Sequence, residues 1–146
     1  MNTRVVKIGG AALGDAQWLS SFAAAAAESR VPMVVVHGGG PDITSLSDRL
    51  GIEVQWQDGR RVTPPAALDV AAMVLTGRIN KRIVSALLHA GVDALGLSGI
   101  DGALLRADVL DGGALGRVGR VGSVRAELLR ALLAGVGVAL VTVARG

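Results

Sequence analysis

The chain of 146 residues contains no cysteine. Disulfide frameworks and thiolate metal sites are therefore excluded. Aromatic residues make up only 2%. Valine, leucine and alanine must then fill the core, and the stacking platforms that single-stranded nucleic acids need are lacking. A cluster of basic residues is also missing. The pI is about 10.5, yet the net charge is only +3, and the excess of arginine over lysine reads as genomic composition, not as a nucleic-acid footprint. No apolar run reaches the length of a membrane span. The opening residues, MNTRVVKIGG, hold no apolar stretch long enough for a signal peptide. The expectation is a soluble cytoplasmic protein with no nucleic-acid or membrane partner.

What is present is a compact pattern of apolar runs and glycine. Hydrophobic residues reach 51% and charged residues 18%, which suits one globular domain with a real core. Arg4 to Ile8 reads as a strand ended by Gly9 and Gly10. Asp15 can cap a helix that runs through the alanine tract Ala23 to Ala27. Met33 to His37 is a second strand, and Pro41 suits the first turn of the helix that follows. Asp58-Gly59 marks a hairpin, and Thr63-Pro64 reads as an N-cap and first helical residue. The long helix behind it spaces Val70, Met73, Val74, Ile79, Ile83 and Leu87 at helical intervals. VDALGLSG is a third strand. A second hairpin turns around Asp111-Gly112-Gly113, a helix follows, and VGVALVTVA is a last buried strand. Apolar strands alternating with helices predict an α/β fold, a mostly parallel sheet with helices on both faces.

In such a sheet, ligands bind beyond the carboxyl ends of the strands. Three strands are read as ending in glycine there: Gly9-Gly10, Gly38-Gly39-Gly40, and Gly96 with Gly99. Bare backbone amides beside a helix N-terminus suit an anion, most naturally a phosphate. Lys7 lies among residues apolar on both parities: in a central strand it would be buried and require a negative partner, and in an edge strand it would stand in solvent. No G-x-x-x-x-G-K-[ST] motif occurs, so a P-loop enzyme is excluded. His37 reads as a satisfied structural histidine, since no carboxylate or histidine stands at metal-ligand spacing from it. Asp101 follows a glycine turn and is a candidate neighbour of the site.

The stretches VVKIGGAAL, VVVHGGGPDI, DGRRVTPP, MVLTGRINKRIV, GLSGIDGALLRA and LGRVG, in that order, resemble the amino-acid kinase family and, within it, the acetylglutamate kinase branch. The resemblance covers residues 1–146 but only the N-terminal half of such a kinase. It implies ATP-dependent phosphorylation of the γ-carboxylate of N-acetyl-L-glutamate, a step of arginine biosynthesis. Lys7 and Gly10 would act on the phosphoryl group in flight. Gly39 would donate its amide to the same oxygens, and Gly39 with Gly40 would edge the acyl-amino-acid pocket. Arg61, as the arginine of the R-V-T motif, would take the α-carboxylate. Arg60 is its rival, and strand alternation lets only one of the two face the pocket.

The resemblance also implies elements that are not found. An N-x-N-A-D segment and the ATP-binding half do not appear, so ATP and Mg are expected of the full-length family without a complete site for either here. The expectation is an acyl-amino-acid-binding part that is inactive or partner-dependent alone. It would be a homodimer, or would pair with a separately encoded C-terminal half, because stopping here leaves a sheet edge and apolar surface uncovered. Two other readings stand beside it. One is a non-catalytic N-acetylglutamate-binding or dimerisation module. The other is a kinase of carrier-bound aminoadipate in lysine synthesis.

Overall fold

The computed structural model describes residues 2–142. Four strands form one parallel sheet: β1 (Arg4–Ile8), β2 (Met33–His37), β5 (Ala94–Ser98) and β8 (Val138–Thr142), in the order β1-β2-β8-β5. The last strand in sequence thus enters the middle of the sheet, pairing with β2 on one side and β5 on the other. All five of its residues are buried. The register sets Ile8 against His37, and His37 against Thr142, so these strands end level with one another.

Side chains alternate across this sheet into two cores. Ile8, Met33, Val35, Val138 and Leu140 pack with α1 (Ala16–Glu28), α2 (Gly40–Arg49), α3 (Pro65–Ala72) and α4 (Asn80–His89). Val34, Ala139 and Val141 pack on the other face with Leu104, and with Leu128, Leu129 and Leu133 of α5 (Ala126–Leu133). The expected layers, helix on sheet on helix, are present. Two antiparallel hairpins stand outside the sheet: β3 (Gln55–Gln57) with β4 (Arg60–Val62), and β6 (Leu105–Val109) with β7 (Gly119–Val124).

Local chemistry explains most boundaries. The Asp15 carboxylate accepts the Gln17 and Trp18 amides at 2.9 and 3.0 Å and so caps α1. Asp58 and Gly59 both take the left-handed conformation that a tight hairpin needs, with φ of 49° and 72°. Some boundaries differ from the sequence expectation. Pro65, not Pro64, is the first helical residue of α3, and Thr63 is engaged elsewhere. The long helix is interrupted by a π-helical stretch, Met73–Ile79, in which the Asn80 amide reaches back to the Leu75 carbonyl. Met73 is 55% exposed instead of lying in the apolar face, because Val70, Ala71, Val74 and Leu75 take the inward positions. Gly96 does not end a strand. It lies inside β5, where a Cβ would stand 2.9 Å from the Asn80 side-chain carbon, so the bare position makes room for that amide.

Candidate active site

The two glycine turns meet at the carboxyl end of the sheet. The Gly38 amide donates to the Ile8 carbonyl at 3.3 Å, which extends the β1–β2 ladder into both turns. A Cβ added to Gly10 would lie 3.0 Å from Pro41 Cδ and 3.4 Å from the Gly40 nitrogen. Gly10 and Gly40 are thus packed backbone against backbone. Gly39 flanks α2 with φ 176°, outside the left-handed region. Its requirement for glycine is steric, since a Cβ there would run into Ile79 Cδ1 and stand 2.8 Å from Leu75 Cδ2. The first turn of α2 leaves backbone amides without intrahelical partners at the positive end of the helix dipole. Asp42 in the same first turn faces Arg78 across 3.8 Å, which offsets the charge it brings.

Lys7 sits one residue before the end of β1, opposite Val36. It shares the sheet end with both turns. Its surroundings are those of an edge strand and not of burial on both faces. Among the described residues β1 pairs only with β2, and α5, which packs on the face of the sheet that carries Val5 and Lys7, leaves both of them exposed. Val5 is 70% exposed and Lys7 is exposed as well. The apolar neighbours Val6 and Ile8 face the α1–α4 side instead.

Arg61 is the most distinctive group of the site. It is only 7% exposed. One guanidinium nitrogen, Nη2, donates to Thr44 Oγ1 at 2.8 Å. The other, Nη1, is buried with no partner. The guanidinium carbon lies 5.1 Å from the ring centre of Trp56, its cross-strand neighbour. Burial pulls the Arg61 pKa down, and the nearby Asp48 charge opposes that pull. Thr44 stands four residues after Gly40, one turn along the same side of α2. The arginine therefore hangs over the turn that begins at the triple glycine. Arg60 points the other way, is half exposed, and pairs with Asp111 at 3.3 Å. The alternation of β4 makes this choice between the two arginines.

Behind the triple glycine lies a buried polar chain. His37 Nδ1 contacts the Gly38 carbonyl at 3.1 Å, which places its proton there and leaves Nε2 to accept from Asn80 Nδ2 at 3.4 Å. Asn80 Nδ2 also donates to the Leu97 carbonyl, and Asn80 Oδ1 accepts from Lys81. Burial pushes the His37 pKa below the usual range, and the Gly38 contact partly restores it. His37 is thus satisfied within the structure. Asp101 accepts the Ser98 amide at 2.6 Å and the Ser98 hydroxyl at 2.9 Å, and these bonds lower its pKa. It closes the turn after β5, at the opposite edge of the sheet from β1. Thr44, Trp56 and Asn80 were not foreseen as parts of the site. Only the i, i+4 spacing of Gly40 and Thr44 and the pairing of Trp56 with Arg61 carry any signal of it.

Residues 2–144 match the family described as the amino acid kinase family. The chain belongs to the amino-acid kinase family. Among its curated relatives, acetylglutamate kinase of Chloroflexus aurantiacus is 46% identical over 132 residues, 89% of this chain and 52% of that protein. Acetylglutamate kinase of Geobacillus thermodenitrificans is 41% identical over 136 residues, 91% of this chain and 52% of its own length. The chain spans about half the length of the curated relatives it matches. The solved structure of smu.665 from Streptococcus mutans is similar at a TM-score of 0.81 and 26% identity, covering 96% of this chain and 58% of that one. N-acetylglutamate synthase of Neisseria gonorrhoeae, solved with coenzyme A and N-acetyl-glutamate, shares the fold at a TM-score of 0.75 and 23% identity, over 96% of this chain and 33% of that one.

Proposed function

We propose that this chain is the acyl-amino-acid-binding part of an N-acetyl-L-glutamate kinase. The observation that carries the reading is the buried Arg61 fork, half satisfied by Thr44 and half unpaired. A buried donor without a partner is costly. A carboxylate supplies two acceptor oxygens in the plane the fork presents, and the α-carboxylate of N-acetyl-L-glutamate fits that need. The names of the 41–46% identical relatives support the choice of substrate.

In the complete enzyme the γ-carboxylate oxygen of the substrate attacks the terminal phosphorus of ATP, and ADP leaves. Phosphoryl transfer asks the protein mainly for positioning and charge stabilisation. In this reading the Gly10 and Gly39 amides and the Lys7 ammonium receive the oxygens of the migrating group, and Gly39 with Gly40 forms the wall against which the acyl amino acid lies. Among the described residues no group of three His, Asp or Glu side chains is placed to hold a metal ion, so no step is assigned to one. This reading assigns no residue of the chain to holding ATP, and the chain alone is proposed to bind the acceptor without ordinary turnover. Among the described residues no helix is long and apolar enough to cross a membrane.

Titration calorimetry with N-acetyl-L-glutamate tests the reading. Arg61→Ala should weaken binding by roughly ten- to a hundredfold, the worth of a charged hydrogen-bonded contact, and Arg60→Ala should leave it within about twofold. Equal affinities in the two variants would sink the assignment. Tighter binding of an aminoadipate derivative would move it to the lysine-synthesis branch.

A further inference from the structure

The LGRVG stretch, Leu115 to Gly119, has no part in the site as described so far, yet it holds the strand that carries Arg61. The Thr63 amide donates to the Leu115 carbonyl at 3.0 Å, and the Arg117 amide donates to the Thr63 carbonyl at 2.8 Å. Thr63 and Gly116 thereby form a short parallel bridge between the two hairpins. Thr63 Oγ1 in turn donates to the Arg61 carbonyl at 3.2 Å. Thr63, Leu115 and Val118 are buried at this junction. The β3–β4 hairpin needs such a hold, because it forms no ladder with the main sheet and β3 is wholly exposed. A two-stranded hairpin is marginal by itself.

Resting on the reading that Arg61 binds the substrate carboxylate, we propose that Gly116 is a positioning residue, its bare backbone clasping Thr63 so that the Arg61 fork stays aimed over the first turn of α2. Two constraints meet at Gly116. Its φ is +70°, in the left-handed region. A Cβ there would run into the Thr63 carbonyl oxygen and stand 3.2 Å from the Pro64 nitrogen. The same loop supplies a control. Gly112 has φ +61°, but an added Cβ meets nothing within 4 Å. Alanine at Gly112 therefore brings the backbone strain of alanine at Gly116 without the collision.

The test compares Gly116→Ala with Gly112→Ala in a Trp18→Phe background, where Trp56 is the one remaining tryptophan. Gly116→Ala should change Trp56 emission, speed hydrogen exchange at the Thr63 amide, and weaken N-acetyl-L-glutamate binding by roughly tenfold or more. Gly112→Ala should leave all three near those of the parent. Identical behaviour of the two variants, or unchanged Trp56 emission in Gly116→Ala, overturns the proposal. Absence of N-acetyl-L-glutamate binding by the parent chain would refute the proposed function, and Trp56 emission and exchange would still decide the clasp. Should Gly116→Ala not fold, exchange in the parent decides it: Thr63 and Arg117 amides protected alike support the clasp, and an unprotected Thr63 amide removes it.

Discussion

Replacing Gly39 by alanine isolates one physical cause. The φ there is 176°, outside the left-handed region, so what sets this glycine apart from its neighbours is the contact a side chain would make. The new methyl would instead strike Ile79 Cδ1 and press within 2.8 Å of Leu75 Cδ2. Those two side chains are 0% and 2% exposed, so they must shift within the core to admit it. Overpacking of this kind costs about 1–3 kcal/mol, which lowers a urea midpoint by on the order of 1 M for a small domain. Neighbouring glycines serve as controls, because a Cβ on Gly38 or Gly40 meets nothing within 4 Å. Urea denaturation followed by circular dichroism should rank Gly39→Ala well below Gly38→Ala and Gly40→Ala. Ile79→Val removes the colliding carbon. Alone it should destabilise by about 0.5–1.5 kcal/mol, but combined with Gly39→Ala it should recover part of the loss, a favourable coupling measured by the double-mutant cycle. Equal stability of the three alanine variants, or simple additivity with Ile79→Val, would refute the steric account of the central glycine.

His37 makes stability depend on pH. Its pKa in the folded chain lies below the unfolded value of about 6.5, so the unfolded chain binds the extra proton first and stability rises with pH across that interval. Urea midpoints should be level above about pH 7 and fall as pH drops below 6.5 toward the lowered folded value, and His37→Gln should flatten that slope; an unchanged slope would exonerate the histidine. Among the described residues the outer edge of β1 is unpaired and Val5 is exposed, and a second copy should cover this edge in solution, since open edges recruit strands. Light scattering should report a dimer or larger species for the chain alone, and a monodisperse monomer would count against this.

The layered fold was legible because parallel strands buried on two faces leave apolar residues on both parities, as in residues 33–36 and 138–141. The glycine turns were legible because they stand at the ends of largely apolar strands. Strand order was not. Nothing in the residues of β8 says that it inserts between β2 and β5, since its pattern would suit any central position. Gly96 shows a subtler limit. A glycine beside a strand end and a glycine that admits a neighbouring amide look alike in sequence, and only the contact with Asn80 separates them. Met73 misled for a related reason: the π-helical turn that begins there changes the phase of the helix. At the site, the choice of Arg61 over Arg60 followed from alternation plus resemblance. Its seat on Thr44 and the clasp at Thr63 are tertiary and left no periodic mark.

The two cations of the site occupy opposite surroundings, and the proposed chemistry gives each its reason. A carboxylate in water is already well solvated, so a fork that selects it must be held dry and partly unsatisfied, as Arg61 is. A migrating phosphoryl group comes from a second substrate, so the cation that meets it must look onto space where that substrate can arrive. Lys7 is exposed on the edge strand β1, as that role requires. In the proposed chemistry the glycine amides meet the transferred group without a side chain in the way. On this reading the exposure of Lys7 is the mark of the donor side of the reaction, and the walled arginine is the mark of the acceptor side.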